Sequence, residues 1–157
     1  MIKITLPDGS VKEFEKATTP LEVAKSISEG LARNVISAKF NETIVETTTP
    51  LETDGSLVLF TWNDKEGKTA FWHSTSHIVA QAIEELYPGV KLTIGPAIEN
   101  GFYYDVELPN GSISEKDFTS IEKKALEIAR GKHDYKMRAA SKADALAFYK
   151  KQGNEYK

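Results

Sequence analysis

Short runs of alternating apolar and polar residues fill most of the first part of the chain, and this pattern is typical of half-buried β-strands. The predicted strands are Ile2–Leu6, Val11–Phe14, Val35–Phe40, Thr43–Val45 and Ser56–Thr61. A helix is predicted after the second strand, because apolar residues recur at helical spacing from Leu21 to Leu31. The segment Thr18-Thr19-Pro20 offers an N-cap followed by proline in the first turn of this helix, and Gly30 is its predicted end. The order β-β-α-β-β-β predicts one helix across a small mixed sheet, which is the ubiquitin-like β-grasp architecture.

A charged segment without apolar anchors follows the last of these strands. Residues 63–68 contain four charged side chains and Gly67, which is typical of a connection between domains. The sequence therefore predicts a first domain at residues 1–62, a linker at residues 63–68 and a second domain at residues 69–157.

The second domain shows helical spacing in three places and only a few strand-like runs. Helices are predicted from about Thr69 to Tyr87, after Ser114 and after Ser141. At the start of the helix after Ser114, Ser114 and Asp117 resemble a capping box. The predicted strands are Val90–Ile94, Phe102–Glu107 and Tyr135–Arg138. In the helix after Ser114, the side chains predicted to point inward are Phe118, Ile121, Ala125 and Ile128. Because so few strands leave the helices without a complete sheet, we predict a two-layer α/β domain that is incomplete at residue 157. The overall class is α+β.

Composition and charge narrow the classes of function. The 157 residues are 40% hydrophobic and 27% charged, as in ordinary globular proteins, and include no cysteine. Disulfides, thiolate nucleophiles and cysteine-ligated zinc are therefore excluded within this chain. Residues 116–157 contain eleven Lys or Arg and six Asp or Glu. This excess of positive charge is compatible with a nearby phosphate backbone or with an ordinary solvent-exposed helix face. No apolar run is long enough to cross a membrane and no signal peptide opens the chain, so a cytoplasmic location is expected.

Two of the three histidines form the motif His73-Ser-Thr-Ser-His77 within the helix predicted from about Thr69 to Tyr87. Positions i and i+4 of a helix lie on one face, with Cβ atoms about 5–6 Å apart. Such a pair can chelate a metal, or supply a base and its orienting neighbour. It can equally be two partly exposed polar side chains. The serine- and threonine-rich turn between the histidines favours a cleft lining, because these residues are mediocre helix formers.

A second group of residues surrounds the turn-rich loop from Gly95 to Gly101. Gly95-Pro96 and Asn100-Gly101 require the chain to turn sharply twice. In the strand that follows, Tyr103 and Tyr104 point to opposite faces, so one phenol is expected in the core and the other outside. The outer hydroxyl could orient a substrate, or both rings could be ordinary strand aromatics.

Together these motifs resemble a known family. The His73–His77 motif, followed by the segment from Lys91 to Val106, resembles the start of the editing domain of threonyl-tRNA synthetases. The preceding β-grasp unit resembles the TGS domain of the same enzymes, and Gln152–Lys157 resembles a further stretch of the editing domain. The resemblance covers the whole chain. It identifies residues 1–62 as a TGS domain and residues 69–157 as the N-terminal part of a tRNA-editing domain.

The resemblance implies a site that hydrolyses the ester of serine wrongly attached to threonine tRNA. An active site that accepts threonine excludes serine poorly, because one methyl group is worth only about 1–3 kcal/mol. The implied partner is therefore threonine tRNA mischarged with serine. The residues carried over from the family are His73, His77 and Lys157 for catalysis, and Tyr104, Gly95 and Pro96 for substrate binding, with no metal ligand.

The resemblance also implies what lies outside these residues. The family completes its site with a downstream Cys-x-x-x-His pair, so residues 1–157 are expected to be inactive alone. ATP and zinc are expected in a separate synthetase core, with no cofactor bound by this chain. The complete enzyme is expected to be a homodimer.

Three alternatives stay open at this point. The chain could be a non-catalytic β-grasp module that binds RNA or a ligand, or part of a related free-standing aminoacyl-tRNA deacylase. A metal site using His73, His77 and Asp105 ranks last, because zinc requires three or four protein ligands. A Cys-x-x-x-His sequence within the next ~30 residues of a longer chain would favour editing.

Overall fold

The computed structural model describes residues 1–133, 140–153 and 156. The chain divides into two compact units, Met1–Phe71 and Trp72–Lys157, which we call unit 1 and unit 2. The predicted strand Tyr135–Arg138 and the predicted catalytic residue Lys157 lie outside the described residues.

Unit 1 contains one five-stranded mixed sheet. Its strands are β1 (Ile2–Thr5), β2 (Val11–Phe14), β3 (Ser37–Phe40), β4 (Thr43–Val45) and β5 (Gly55–Phe60). They lie in the order β2-β1-β5-β3-β4, in which β1 and β5 are parallel and the other neighbours are antiparallel. The prediction of a β-grasp unit from the alternating runs is confirmed.

The predicted single helix of unit 1 is two helices, α1 (Pro20–Ile27) and α2 (Glu29–Asn34). Between them Ser28 has extended backbone, and its hydroxyl accepts a 3.0 Å hydrogen bond from the backbone N–H of Leu31. Ser28 therefore ends α1 and caps α2. The predicted end at Gly30 is wrong, because Gly30 lies inside α2.

The core of unit 1 lies between the sheet and α1. Its buried cluster consists of Ile2, Ile4, Val23, Ala38, Leu51 and Leu57. Ile2 and Ile4 alternate with exposed neighbours along β1, as a strand with one buried face requires. Val23 is buried completely, whereas Ile27, which lies at helical spacing between Leu21 and Leu31, is 42% exposed.

The long helix α3 runs from Lys65 to Leu86, so its start precedes the predicted position near Thr69 and residues 65–68 are helical. Its first turn packs closely against the end of β5. A Cβ atom at Gly67 would lie 1.9 Å from the carbonyl oxygen of Thr61. The Asp64 carboxylate also accepts a 2.7 Å hydrogen bond from the Thr61 backbone N–H. These contacts fix the start of the helix.

Within the described residues, unit 2 has four strands of two residues each, where the longer strands Val90–Ile94 and Phe102–Glu107 were predicted. They are β6 (Lys91–Leu92), β7 (Ala97–Ile98), β8 (Gly101–Phe102) and β9 (Val106–Glu107). β6 pairs with β9 and β7 pairs with β8, both antiparallel. The irregular stretches 93–96 and 103–105 interrupt the predicted strands and leave room for the site described below.

Two further helices, α4 (Glu115–Arg130) and α5 (Lys142–Lys151), complete the described part of unit 2. The predicted capping box is present, because the Asp117 carboxylate accepts hydrogen bonds from the backbone and hydroxyl of Ser114. Ile121 is buried as predicted, but the inward assignment of Phe118 is wrong because its side chain is 53% exposed. Over the described residues, no helix is both long and apolar enough to span a bilayer.

Candidate functional site

The two histidines of α3 are in direct contact. Their Nε2 atoms lie 3.2 Å apart and the ring planes are nearly perpendicular, at 87°. A hydrogen bond at this distance needs one protonated nitrogen and one lone pair, so in the neutral pair one ring donates and the other accepts. The donor ring then keeps an unprotonated Nδ1. Both side chains are exposed, which gives solvent and substrate access to the pair.

Ser76 ties this part of α3 to the loop that follows β6. Its side chain is 1% exposed, and its hydroxyl lies 2.7 Å from the carbonyl oxygen of His73 and 3.0 Å from that of Gly95. The hydroxyl donates its single proton to these acceptors. The bond to Gly95 holds the loop beside the histidine pair.

The ring of Tyr104 packs against Gly95 so closely that no other residue fits there. A Cβ atom at Gly95 would lie 2.1 Å from the Tyr104 ring. The Tyr104 hydroxyl donates a 3.2 Å hydrogen bond to the Thr93 carbonyl, and the Thr93 hydroxyl donates one of 2.7 Å to the Asp105 carbonyl. The loop is therefore fixed at both ends.

These side chains enclose a cleft of about 340 Å³, which we call the histidine cleft. It is lined by His73, Ser76, His77, Thr93, Ile94, Gly95, Pro96, Tyr104 and Tyr149. The structure thus brings together five of the six residues selected from the sequence. The sixth, Lys157, lies outside the described residues.

Tyr149 of α5 was not selected from the sequence. Its neighbour Phe148 is 54% exposed, whereas Tyr149 is half-buried. The short helix carries no periodic signal strong enough to choose between adjacent aromatics. Only the packing of α5 shows that Tyr149 reaches the cleft.

A larger cleft of about 770 Å³ lies between α3 and α4 and shares His77 and Tyr104 with the histidine cleft. One of its lining carboxylates, that of Glu85, forms an ion pair with Lys124 of α4 at 3.3 Å. Hydrogen bonds from Gln81 and Lys124 lower the pKa of Glu85, and the same contact raises the pKa of Lys124. These groups stay charged at neutral pH and link the two helices, so the histidine cleft is the better candidate for chemistry.

The C-terminal end of α3 is also joined to α4. Burial raises the pKa of Tyr87, and its hydrogen bond to the Asp117 carboxylate raises it further. Asp117 has a lowered pKa, mainly because it accepts a hydrogen bond from the Ser114 backbone N–H. These contacts hold the helix that carries the histidines against its neighbour.

The metal alternative gains no support from the side chains placed by the structure. Among the described residues, no group of three or more His, Cys, Asp or Glu side chains is arranged to hold a metal ion. Asp105 contacts Thr93 through its backbone carbonyl and does not line the histidine cleft.

Residues 2–61 match the TGS domain family. Unit 1 contains a TGS domain. Its five strands, β1 to β5, all lie within the matched residues. The identification agrees with the β-grasp topology and confirms the resemblance found for this part of the sequence.

Over its whole length the chain is similar to the N-terminal region of bacterial threonine–tRNA ligases. It is 68% identical to the one from Flavobacterium johnsoniae over 157 residues, which is 100% of this chain and 24% of the relative. The ligases of Cytophaga hutchinsonii and Porphyromonas gingivalis are 52% and 46% identical over the same shares. The chain thus spans about a quarter of the length of the curated relatives it matches, and those relatives are enzymes.

Proposed function

We propose that unit 2 contributes to a hydrolytic site that removes serine from mischarged threonine tRNA, as part of a threonine–tRNA ligase. The observation that carries this proposal is the hydrogen-bonded pair of His73 and His77 at an exposed cleft. The similarity of the whole chain to threonine–tRNA ligases supplies the class of substrate. A ligase that activates threonine needs such a site, because serine differs by one methyl group, worth about 1–3 kcal/mol.

The chemistry follows from the protonation of the pair. The oxygen of a water molecule bonds to the ester carbonyl carbon, and one proton of that water passes to the unprotonated Nδ1 of the donor ring. The bond from the carbonyl carbon to the ribose oxygen then breaks, and the ribose oxygen takes up the proton that Nδ1 received from the water. An imidazole suits both transfers, because its unperturbed pKa of about 6.5 lies near neutrality.

The other residues of the proposal position the substrate. Gly95 and Pro96 form a wall of the histidine cleft, and Tyr104 lines it. Lys157 is assigned the role of a fixed positive charge that orients the terminal ribose or stabilises the oxyanion developing on the carbonyl. This assignment rests on the sequence resemblance alone.

The proposal extends to the complete ligase. The complete ligase joins threonine to tRNA with ATP and acts as a homodimer in the cytoplasm. Its ATP and zinc sites lie outside residues 1–157. Residues 1–157 contain no cysteine, so the Cys-x-x-x-His pair of the family is supplied from outside them. The chain alone is therefore inactive in hydrolysis.

The decisive test is His73→Ala in the ligase that contains these residues. General-base catalysis contributes about 10²–10⁴-fold, so deacylation of seryl-tRNA should slow by at least about tenfold. Formation of threonyl-tRNA should be nearly unchanged, because it takes place in a separate core. Both rates are measured side by side with Lys157→Ala, which should also slow deacylation.

The matched control is His133→Ala. His133 lines the α3–α4 cleft and is absent from the histidine cleft, so its loss should leave deacylation within about twofold of wild type. Wild-type deacylation in both His73→Ala and Lys157→Ala would overturn the proposal. Parallel loss of both activities in His73→Ala would contradict the assignment of the histidines to a separate editing site.

A further inference from the structure

Tyr156, the last described residue, is joined to the pair of strands β6 and β9. Its hydroxyl donates a hydrogen bond to one carboxylate oxygen of Glu107 on β9. The ammonium of Lys91 on β6 lies 3.6 Å from the other oxygen of that carboxylate and 5.6 Å from the centre of the Tyr156 ring. Lys91 and Glu107 are directly opposite each other in the antiparallel pair. We call Lys91, Glu107 and Tyr156 the tyrosine clamp.

The charges of the tyrosine clamp support one another. The hydrogen bond from the Tyr156 hydroxyl lowers the pKa of Glu107, and the positive charge of Lys91 acts in the same direction. The carboxylate is therefore ionised at neutral pH, which is the form that holds a phenol and an ammonium most strongly. The side chains of Lys91 and Glu107 are 32% and 53% exposed, so their ion pair adds little to the stability of the fold. The main consequence of the clamp is the position that it gives to Tyr156.

The clamp lies at one end of a short ladder whose other end forms the histidine cleft. Beyond the pair Lys91–Glu107, the backbone N–H of Thr93 donates a 3.2 Å hydrogen bond to the Asp105 carbonyl. Thr93 lines the histidine cleft. A strand rises about 3.3 Å per residue, so the two residues from Lys91 to Thr93 span about 7 Å. The clamp thus holds Tyr156 within about two strand residues of the cleft wall.

The chain after α5 is held near the cleft at two points. Tyr149 of α5 lines the histidine cleft, and Tyr156 follows seven residues later in the clamp. The next residue in the sequence is Lys157, to which the proposed function gives a fixed positive charge at the ester. Two anchors on one short segment limit the paths that its backbone can take.

We infer that Tyr156 is a positioning residue for Lys157, and that its hydrogen bond to Glu107 sets where the lysine ammonium acts. The inference rests on the proposed function, which supplies the role of Lys157. Consecutive Cα atoms are about 3.8 Å apart, so a tied Tyr156 confines the backbone of the next residue to a small volume beside the ladder. Lysine carries its charge on a flexible four-carbon stem and therefore needs such an anchor to act at one place.

The expected effect is on the rate and not on the charge. An ammonium that orients a ribose or stabilises an oxyanion must lie within hydrogen-bond distance of it, and a displacement of about 1 Å can cost about 10²-fold in rate. When the clamp is opened, the lysine keeps its charge but its ammonium is spread over a larger volume. The loss therefore passes through Lys157, and the histidine pair is left as it is.

The test is a double-mutant cycle of Tyr156→Phe and Lys157→Ala in the complete ligase. Tyr156→Phe keeps the ring beside Lys91 and removes the hydroxyl, so kcat/KM for seryl-tRNA deacylation should fall about three- to tenfold. In the Lys157→Ala background the same change should have an effect of less than about twofold, because no ammonium remains to be positioned. Formation of threonyl-tRNA by each variant is measured as well and should be unchanged.

A second variant opens the same hydrogen bond from its other side. Glu107→Ala removes the acceptor, so it should slow deacylation about as much as Tyr156→Phe does, and the two changes together should cost little more than either alone. Glu99→Ala is the matched control, because Glu99 is an exposed carboxylate of unit 2 that lines neither cleft. Its deacylation rate should stay within about twofold of wild type.

The outcomes separate this inference from the proposed function. A loss of the same size in the wild-type and Lys157→Ala backgrounds overturns the inference, because Tyr156 then acts independently of the lysine. A parallel fall in threonyl-tRNA formation also overturns it, since the clamp is then only structural.

Two further results concern the lysine itself. Wild-type deacylation in Tyr156→Phe, with Lys157→Ala slow, overturns the inference and leaves the proposed function standing. Wild-type deacylation in Lys157→Ala, with His73→Ala slow, removes the lysine from the site and overturns the inference, while the histidine pair keeps its role. If His73→Ala also deacylates like wild type, the proposed function fails.

Discussion

Unit 1 buries a connected cluster of apolar side chains beneath its sheet, whereas unit 2 leaves several of its largest apolar side chains in solvent. The buried cluster of six residues lies entirely in unit 1. In unit 2, Phe118, Leu126, Leu146 and Phe148 are each more than half exposed, although they belong to regular helices. Unit 1 therefore uses its apolar residues to stabilise a core, and the described part of unit 2 uses backbone irregularity to shape clefts.

The same contrast appears in the backbone. The strands of unit 1 are three to six residues long and pair in one continuous sheet. Those of unit 2 have two residues each, and the loops between them are held by individual hydrogen bonds such as that from Ser76 to Gly95. A cleft requires groups that point away from a regular sheet, so local regularity is lost where the candidate site is formed.

The largest effect is expected from truncating the core of unit 1. Ile4 is completely buried, so Ile4→Ala should lower the free energy of unfolding by about 2–5 kcal/mol. Leu126→Ala makes a comparable truncation on the exposed face of α4 and should change it by about 0.5 kcal/mol or less. Urea unfolding of the two variants measures this difference. Equal losses would show that Leu126 is as well packed as Ile4, and the contrast between the units would fail.

A smaller effect is expected at the first turn of α3. Gly67→Ala places a Cβ atom against the Thr61 carbonyl, which forces a backbone shift and should cost about 1–3 kcal/mol. Gly30→Ala is the matched control inside α2, where the nearest atom to a new Cβ is the Ser28 hydroxyl at 3.8 Å. It should stabilise the protein by about 0.5–1 kcal/mol, because alanine favours helix. If the midpoint temperature of thermal unfolding shifts in the same direction in both variants, the close contact between Gly67 and Thr61 is contradicted.

The smallest effect concerns acid stability in unit 2. The folded pKa of Asp117 lies below its unfolded value of 3.8, because Ser114 and Tyr87 donate hydrogen bonds to the charged form. A group with a lowered folded pKa stabilises the protein above the unfolded pKa, and this contribution is lost as the pH falls through the folded value. Asp117→Asn should therefore be less stable than wild type near neutrality, and the difference should shrink in acid.

Urea unfolding between about pH 6 and about pH 3 measures that difference. Glu115→Gln, which removes an exposed carboxylate from the same helical turn, is the control and should change the pH dependence much less. A constant difference between wild type and Asp117→Asn over the whole range would show that the capping carboxylate makes no pH-dependent contribution.

Sequence patterns predicted most of unit 1 and the centre of the candidate site. The five strands of the sheet were found because alternation along a strand is set by which face is buried, and that period is local. The placement of His73 and His77 together on α3 was predicted for the same reason, since i and i+4 share a helical face. The break at Ser28 also has a local cause, because a serine hydroxyl can cap a new helix. It was not predicted, because the helical spacing of apolar residues continues across Ser28.

The amino-acid sequence by itself thus determined the β-grasp unit, the histidine pair and the turn at Asn100. Only the tertiary structure decided that Ser76 is buried against Gly95, that the Tyr104 ring occupies the space of a missing Cβ, and that Tyr149 lines the cleft. These contacts join residues that are far apart along the chain. They depend on side-chain shape and on the path of irregular loops, and neither leaves a periodic signal in the order of apolar and polar residues.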